Sequence, residues 1–261
     1  MIKYEQLILT SAVVEIRYER GYRYLDRCGE TLIAIEKADP SWKPDKVNPQ
    51  GGVIRNVKSN LLFGFSSIKM DLTQSDVPNR NVEILARQIG LLCKIVAETL
   101  FIDTFSRIGV RFWYLYPTKS LEAGEEILSR LRNYTINKEL EQLFDLTITN
   151  RSFVTILEKG QKGCRVGLST VRQTGNSGSL ADSDLGPSIP PHKTREDQHR
   201  ALIQKMRSDR EARTSPPFAI LLDIDNYEKD PKDVKPDEAV LYYERLMRER
   251  VPILLQQVSG G

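Results

Sequence analysis

The chain has 261 residues, 40% hydrophobic and 28% charged, and its 38 Lys and Arg against 35 Asp and Glu leave a formal charge of +3. That near balance excludes a polybasic nucleic-acid coat and an acidic tail. Three scattered cysteines, Cys28, Cys93 and Cys164, exclude a disulfide framework or a CxxC-type zinc site and point to a reducing compartment. The first twenty residues lack the pattern of a secretory signal. The most apolar helical stretch, residues 82–105, carries Glu83, Arg87, Lys94, Glu98 and Asp103, which reads as a core helix rather than a membrane span. The expected location is the cytoplasm.

In chain order, residues 7–19 alternate at Val14, Ile16 and Tyr18 and predict a strand ended by Gly21. Leu25, Cys28, Leu32 and Ile35 recur at helical spacing before Pro40. Pro40, Pro44 and Pro49 with Gly51 and Gly52 predict a loop. Residues 53–57 and 61–72 predict two strands joined near Ser59-Asn60. Asn79 or Asn81 caps a helix whose stripe is Leu85, Ile89, Leu92, Val96 and Leu100, and residues 107–116 return to strand. The expectation is an α+β fold, an antiparallel sheet with helices on one face, whose first half (1–117) runs βαββαβ in the ferredoxin-like, split manner.

The second half (118–261) predicts helices at 121–131 and 138–144, strands at 145–157, 165–171 and 218–225, and a final helix at 236–251 opened by a proline. Residues 174–213 interrupt it. Their first part is rich in Gly, Ser, Asp and Pro, and residues 192–213 are net +3, so the expectation is an insert that is flexible in the isolated chain or held by another molecule.

Candidate chemistry is sparse. Asp223 and Asp225 sit two apart at the end of an apolar strand, a spacing that puts both carboxylates on one face where a divalent metal could bind, with Glu15 and Asp71 on other strands as the only obvious helpers. A strand that simply turns polar at its end is the plainer account. Arg17, Arg20, Arg23 and Arg27 interleave with Tyr18, Tyr22 and Tyr24, and Arg107 and Arg111 could join them. Arginines with aromatics suit phosphate contact and base stacking, but Glu15, Glu19, Asp26 and Glu30 sit among them and favour a salt-bridged face. His192 and His199, the only histidines, fall in the insert, where fixed catalytic geometry is hard to keep. Gly160-Gln161-Lys162-Gly163 reads as a hairpin turn. Ser259-Gly260-Gly261 reads as a frayed end.

Three stretches together, VVEIRYE at 13–19, RIGVRF at 107–112 and FAILLDID at 218–225, resemble a sporadically distributed family of bacterial and archaeal proteins of similar length with no assigned function. Trp113, Tyr114 and Leu115 depart from that family's usual ending of the central strand. Sporadic distribution implies a setting like that of defence or toxin systems; the resemblance carries no catalytic residue. The expectation is a non-enzymatic interaction subunit: an accessory, sensor or antitoxin-like component that works in a complex with another protein and needs no cofactor. Homo-oligomers are compatible, nucleic acid is less favoured, and no membrane is involved. Tyr22, Tyr24, Trp42 and Trp113 join the arginines as candidate contacts, because Trp, Tyr and Arg anchor interfaces most often. The alternative is a metal-dependent enzyme acting on nucleic acid or nucleotides through Asp223 and Asp225.

Overall fold

Alternation sets the central strand. Along β1 (Ile8–Tyr18), Ala12, Val14, Ile16 and Tyr18 are buried, while Glu15 and Arg17 point the other way. The computed structural model describes residues 3–19, 21–75, 77, 81–129, 152–172, 216–233 and 235–258. In these, α1 (Tyr24–Ala38) follows β1, then come β2 (Trp42–Asn48), β3 (Gly51–Asn56), β4 (Leu61–Phe65) and β5 (Lys69–Ser75). Next are α2 (Glu83–Leu100), β6 (Phe105–Pro117) and α3 (Leu121–Ser129). The chain continues in β7 (Ser152–Lys159), β8 (Lys162–Arg172), β9 (Phe218–Lys229) and the last helix, α4 (Pro236–Val258).

All nine strands form one antiparallel sheet in the order β2-β3-β4-β5-β1-β6-β9-β8-β7. The α+β class is as expected, with the described helices on one face. The helix stripe Leu85, Ile89, Leu92, Val96 and Leu100 is buried against the sheet. Both α1 and α4 pack beside α2, and α3 covers β8 and β9. No described helix is long and apolar enough to cross a membrane.

The split arrangement is present inside this sheet. β1 lies between β5 and β6, and β5 lies between β1 and β4, so the crossovers through α2 and α1 interleave. Two details differ from expectation. Residues 61–72 form two strands, not one, because the chain turns at Ser66–Ile68. The Tyr18 hydroxyl lies 2.6 Å from the Ser66 carbonyl and 2.9 Å from that of Lys69, which fixes the turn. The proline-rich loop contains β2, an added outer strand. An edge tolerates Pro44, and the register slips between Pro44 and Lys46.

The two predicted halves share the sheet. β6 pairs with β9 from Arg107↔Lys229 to Pro117↔Ala219, and the buried apolar side chains make one continuous cluster. The insert at 174–213 with His192 and His199, the predicted helix at 138–144, Arg20 and the Ser259-Gly260-Gly261 tail lie outside the described residues. The short turn at Gly160-Gln161 joins β7 to β8 as a hairpin, with Gly160 at φ 61° as its first residue.

Candidate functional site

None of the described helices packs on the second face of the sheet. The pairing register places its side chains in rungs across the central strands. One rung runs Asp71, Glu15, Gly109, Tyr227, Gly163, Glu158. The next runs Val13, Arg111, Asp225, Arg165, Ile156, and the one beyond it Ser11, Trp113, Asp223, Gly167, Val154.

Ion pairs tie the rungs together. Arg107 reaches Glu15 through Nη1 and Asp225 through Nη2, both at 2.7 Å. Arg111 grips Asp223 with Nε at 2.7 Å and Nη2 at 2.6 Å, the two-pronged geometry that guanidinium and carboxylate favour. Arg165 Nη1 donates to the same carboxylate at 2.8 Å, and the Trp113 indole N–H at 2.9 Å. Lys69 lies beside both Glu15 and Asp71, and Arg17 donates to Glu15 at 2.8 Å.

Asp223 and Asp225 do share a face, as their spacing predicts, yet they are not equivalent. Burial opposes the charge of Asp223, but Arg111 and Arg165 outweigh it and hold the carboxyl below its ordinary range. Burial raises Asp225, which Arg107 only partly offsets. Asp71 is raised by burial against the pull of Lys69, while Glu15, with Lys69, Arg17 and Arg107 around it, stays low in spite of burial. A dication at Asp223 and Asp225 would sit among three guanidinium groups. Among the described residues no cluster of three His, Cys, Asp or Glu is placed to hold a metal.

The side chains lie flat because glycine leaves room beneath them. A Cβ on Gly163 would come within 2.5 Å of the Tyr227 ring, and one on Gly64 within 3.3 Å of the Asp71 carboxylate. The Arg107 guanidinium stacks on the Tyr227 ring and that of Arg111 on Trp113, each 4.8 Å from the ring centre. The Tyr227 hydroxyl in turn donates to Glu158 at 2.6 Å.

The predicted arginine cluster divides. Arg17 joins the open face beside its cross-strand partner Arg107. Arg23 and Arg27 instead lie over Phe101, 3.9 and 4.9 Å from the ring centre, where α2 ends in a left-handed residue. Tyr22 is 76% exposed next to them. Tyr24 and Trp42 are core residues, not surface contacts. Tyr24 packs edge-on to Phe65 and donates to the Asn48 carbonyl, and Trp42 packs edge-on to Phe63 and donates to Gln88. Both seal α1 and α2 onto the β2–β5 end of the sheet, a place where a large ring is worth most when dry. Trp113 is the aromatic candidate that stands in the charged ladder. Arg165 and Lys69 were not singled out by sequence. The hairpin at Gly160 fixes which face Arg165 takes, but its partnership with Asp223 spans 58 residues and leaves no local mark.

No protein-family model matches the chain, and no curated protein matches it.

Proposed function

We propose that the protein is a non-enzymatic interaction subunit that receives another protein on the open face of its sheet. The observation that supports this reading is the self-paired ladder around Trp113, Arg111, Asp223 and Arg165. Across the rungs of that face Arg17, Lys69, Arg107, Arg111, Arg165 and Lys229, six cations, stand against Glu15, Asp71, Glu158, Asp223 and Asp225, five anions. Phosphate backbones are drawn to uncompensated positive charge, which this balance does not offer. Sheets that read single-stranded RNA stack bases on free aromatic faces. Here the Trp113 and Tyr227 rings are each already stacked by an arginine. A flat surface of Trp, Tyr and paired Arg fits a protein partner, whose own charges can be laid against a fixed pattern. The resemblance to sporadically distributed proteins supports a finer reading, in which the partner is the second component of a prokaryotic defence or toxin system.

Isolation of the protein from its source cells, followed by mass measurement of the intact assembly, tests this. The expected result is a hetero-complex, weakened by Trp113→Ala and by Arg111→Ala. A lone protein that turns over a substrate unaided, or a partner held equally well by both variants, would overturn it. Copurified nucleotide or divalent metal, lost with Asp223→Ala and Asp225→Ala, would instead favour the metal-dependent enzyme.

A further inference from the structure

The two edges of the sheet are built differently. Edge strands present a row of unpaired backbone groups, and proteins that stay apart blunt them with proline, charge or irregular pairing. β2 has all three: Pro44, the charged Lys43, Asp45 and Lys46, and a slipped register. β7 has none over its central residues. It pairs regularly with β8 from Ser152↔Ser169 to Lys159↔Lys162, and its middle, Phe-Val-Thr-Ile-Leu, is β-branched and apolar. Ile156 is 61% exposed, and Val154 and Leu157 are exposed as well. Among the described residues β7 bonds to β8 alone.

The turn fixes which backbone groups of β7 are open. A two-residue hairpin loop makes its flanking residues, here Lys159 and Lys162, the hydrogen-bonded closing pair. From there the bonds to β8 alternate, so Lys159, Leu157, Thr155 and Phe153 spend their N–H and C=O groups inward. Val154, Ile156 and Glu158 point theirs outward.

We infer that β7 is a dimerisation edge, where a second copy of this chain adds antiparallel about Ile156. The occupant follows from the sequence of the strand itself. With a two-fold axis at Ile156, Ile156 faces its own copy, Val154 faces Glu158, Thr155 faces Leu157 and Phe153 faces Lys159. Every outward group meets an outward group, giving roughly six interchain backbone hydrogen bonds. No like charges are opposed, and the one carboxylate in the row, Glu158, is already neutralised within its own chain by Lys229 at 2.8 Å and the Tyr227 hydroxyl. Such an isologous contact closes on itself and removes an edge that would otherwise recruit strands without limit. The two sheets become one, and the two open faces lie on the same side of it. This inference goes beyond the interaction-subunit reading and stands without it, because β7 and the charged ladder can be altered separately.

Sedimentation analysis of the purified full chain tests it. The expected result is twice the single-chain mass, with Ile156→Lys weakening the dimer by about a hundredfold, since it opposes two cations and removes two apolar contacts. Trp113→Ala should leave the dimer intact. Ile156→Pro serves as a second disruptive variant, because it deletes only an outward N–H and leaves the bonds to β8 in place. The register is checked by Ile156→Cys: residues facing across a hydrogen-bonded antiparallel pair lie about 5.5 Å apart, within disulfide reach. Mild oxidation should therefore link two chains carrying Ile156→Cys and not the parent chain. A single-chain mass throughout the micromolar range, or a dimer that survives both Ile156→Lys and Ile156→Pro, would overturn the inference. If the substituted chains misfold, the cysteine link alone decides: its absence refutes the Ile156 axis.

Discussion

Replacing Asp223 by alanine removes the anion at the centre of the open face. Asp223 is 7% exposed and accepts four hydrogen bonds, two from Arg111 and one each from Arg165 and Trp113. Its loss takes from two neighbouring guanidinium groups the carboxylate they are bonded to and leaves Asp225 as their nearest remaining anion. Breaking a fully buried pair costs about 3–5 kcal/mol. Arg111 and Arg165 retain over a third of their side-chain exposure, so water recovers part of that, and about 2–3 kcal/mol is expected. For a chain of this size that lowers the melting temperature by roughly 4–10 °C. Urea unfolding followed by circular dichroism at neutral pH gives the stability. Adding Arg165→Ala to Asp223→Ala should cost less than Arg165→Ala does alone, since it relieves the unpaired charge. The pH dependence has a definite sign. The folded pKa of Asp223 lies below its unfolded value, so its contribution is complete above the unfolded value of about 4 and is lost as pH falls through the folded one. The gap between the parent and Asp223→Ala should therefore close only in strong acid. A change under about 0.5 kcal/mol at neutral pH, or a gap that widens on acidification, would refute the picture of a charge-locked face.

Two further outcomes follow from the same face. Gly163→Val forces the Tyr227 ring off the sheet and breaks its bond to Glu158, so a lowered midpoint is expected by urea unfolding, and an unchanged midpoint would show that the ring does not rest there. Calorimetry with Mg²⁺ and Mn²⁺ is expected to show no micromolar site, because Arg107, Arg111 and Arg165 already hold Asp223 and Asp225; micromolar binding abolished by Asp223→Ala with Asp225→Ala would reverse that.

What could be read in advance was what is local. The stripe of α2, the alternation of β1 and the polar end of β9 are patterns within ten or twenty residues, and each element appears where its pattern lies. The split crossover order was readable as well, because it follows from the succession of elements. The turn at Ser66–Ile68 was not, since Ser-Ser-Ile carries no turn residue of the Gly or Pro kind and is held by a tyrosine from another strand. β2 was hidden by prolines that only an edge position tolerates. The paired carboxylates were visible as residues but not as a state. Asp223 and Asp225 look alike in the sequence, and only the register of β6, β8 and β9 gives one of them two arginines and the other a single shared one.

The place of β9 also governs how the chain is assembled. It enters the sheet between β6 and β8 and brings with it α4, which packs on α2 across the first half. Synthesis from the N-terminus completes β1 to β6 about a hundred residues before β9 exists. Through that interval the outer edge of β6, a strand of thirteen residues, and the flank of α2 lack the β9 and α4 partners they have in the finished fold. Contacts such as Arg107 with Asp225 and Arg111 with Asp223 join positions 118 and 112 apart in the chain, so loop closure is spent before these pairings return anything. The molecule is thus a late closer, with its last strand and helix acting as a keystone, and its most exposed moment lies in the making rather than in the finished fold.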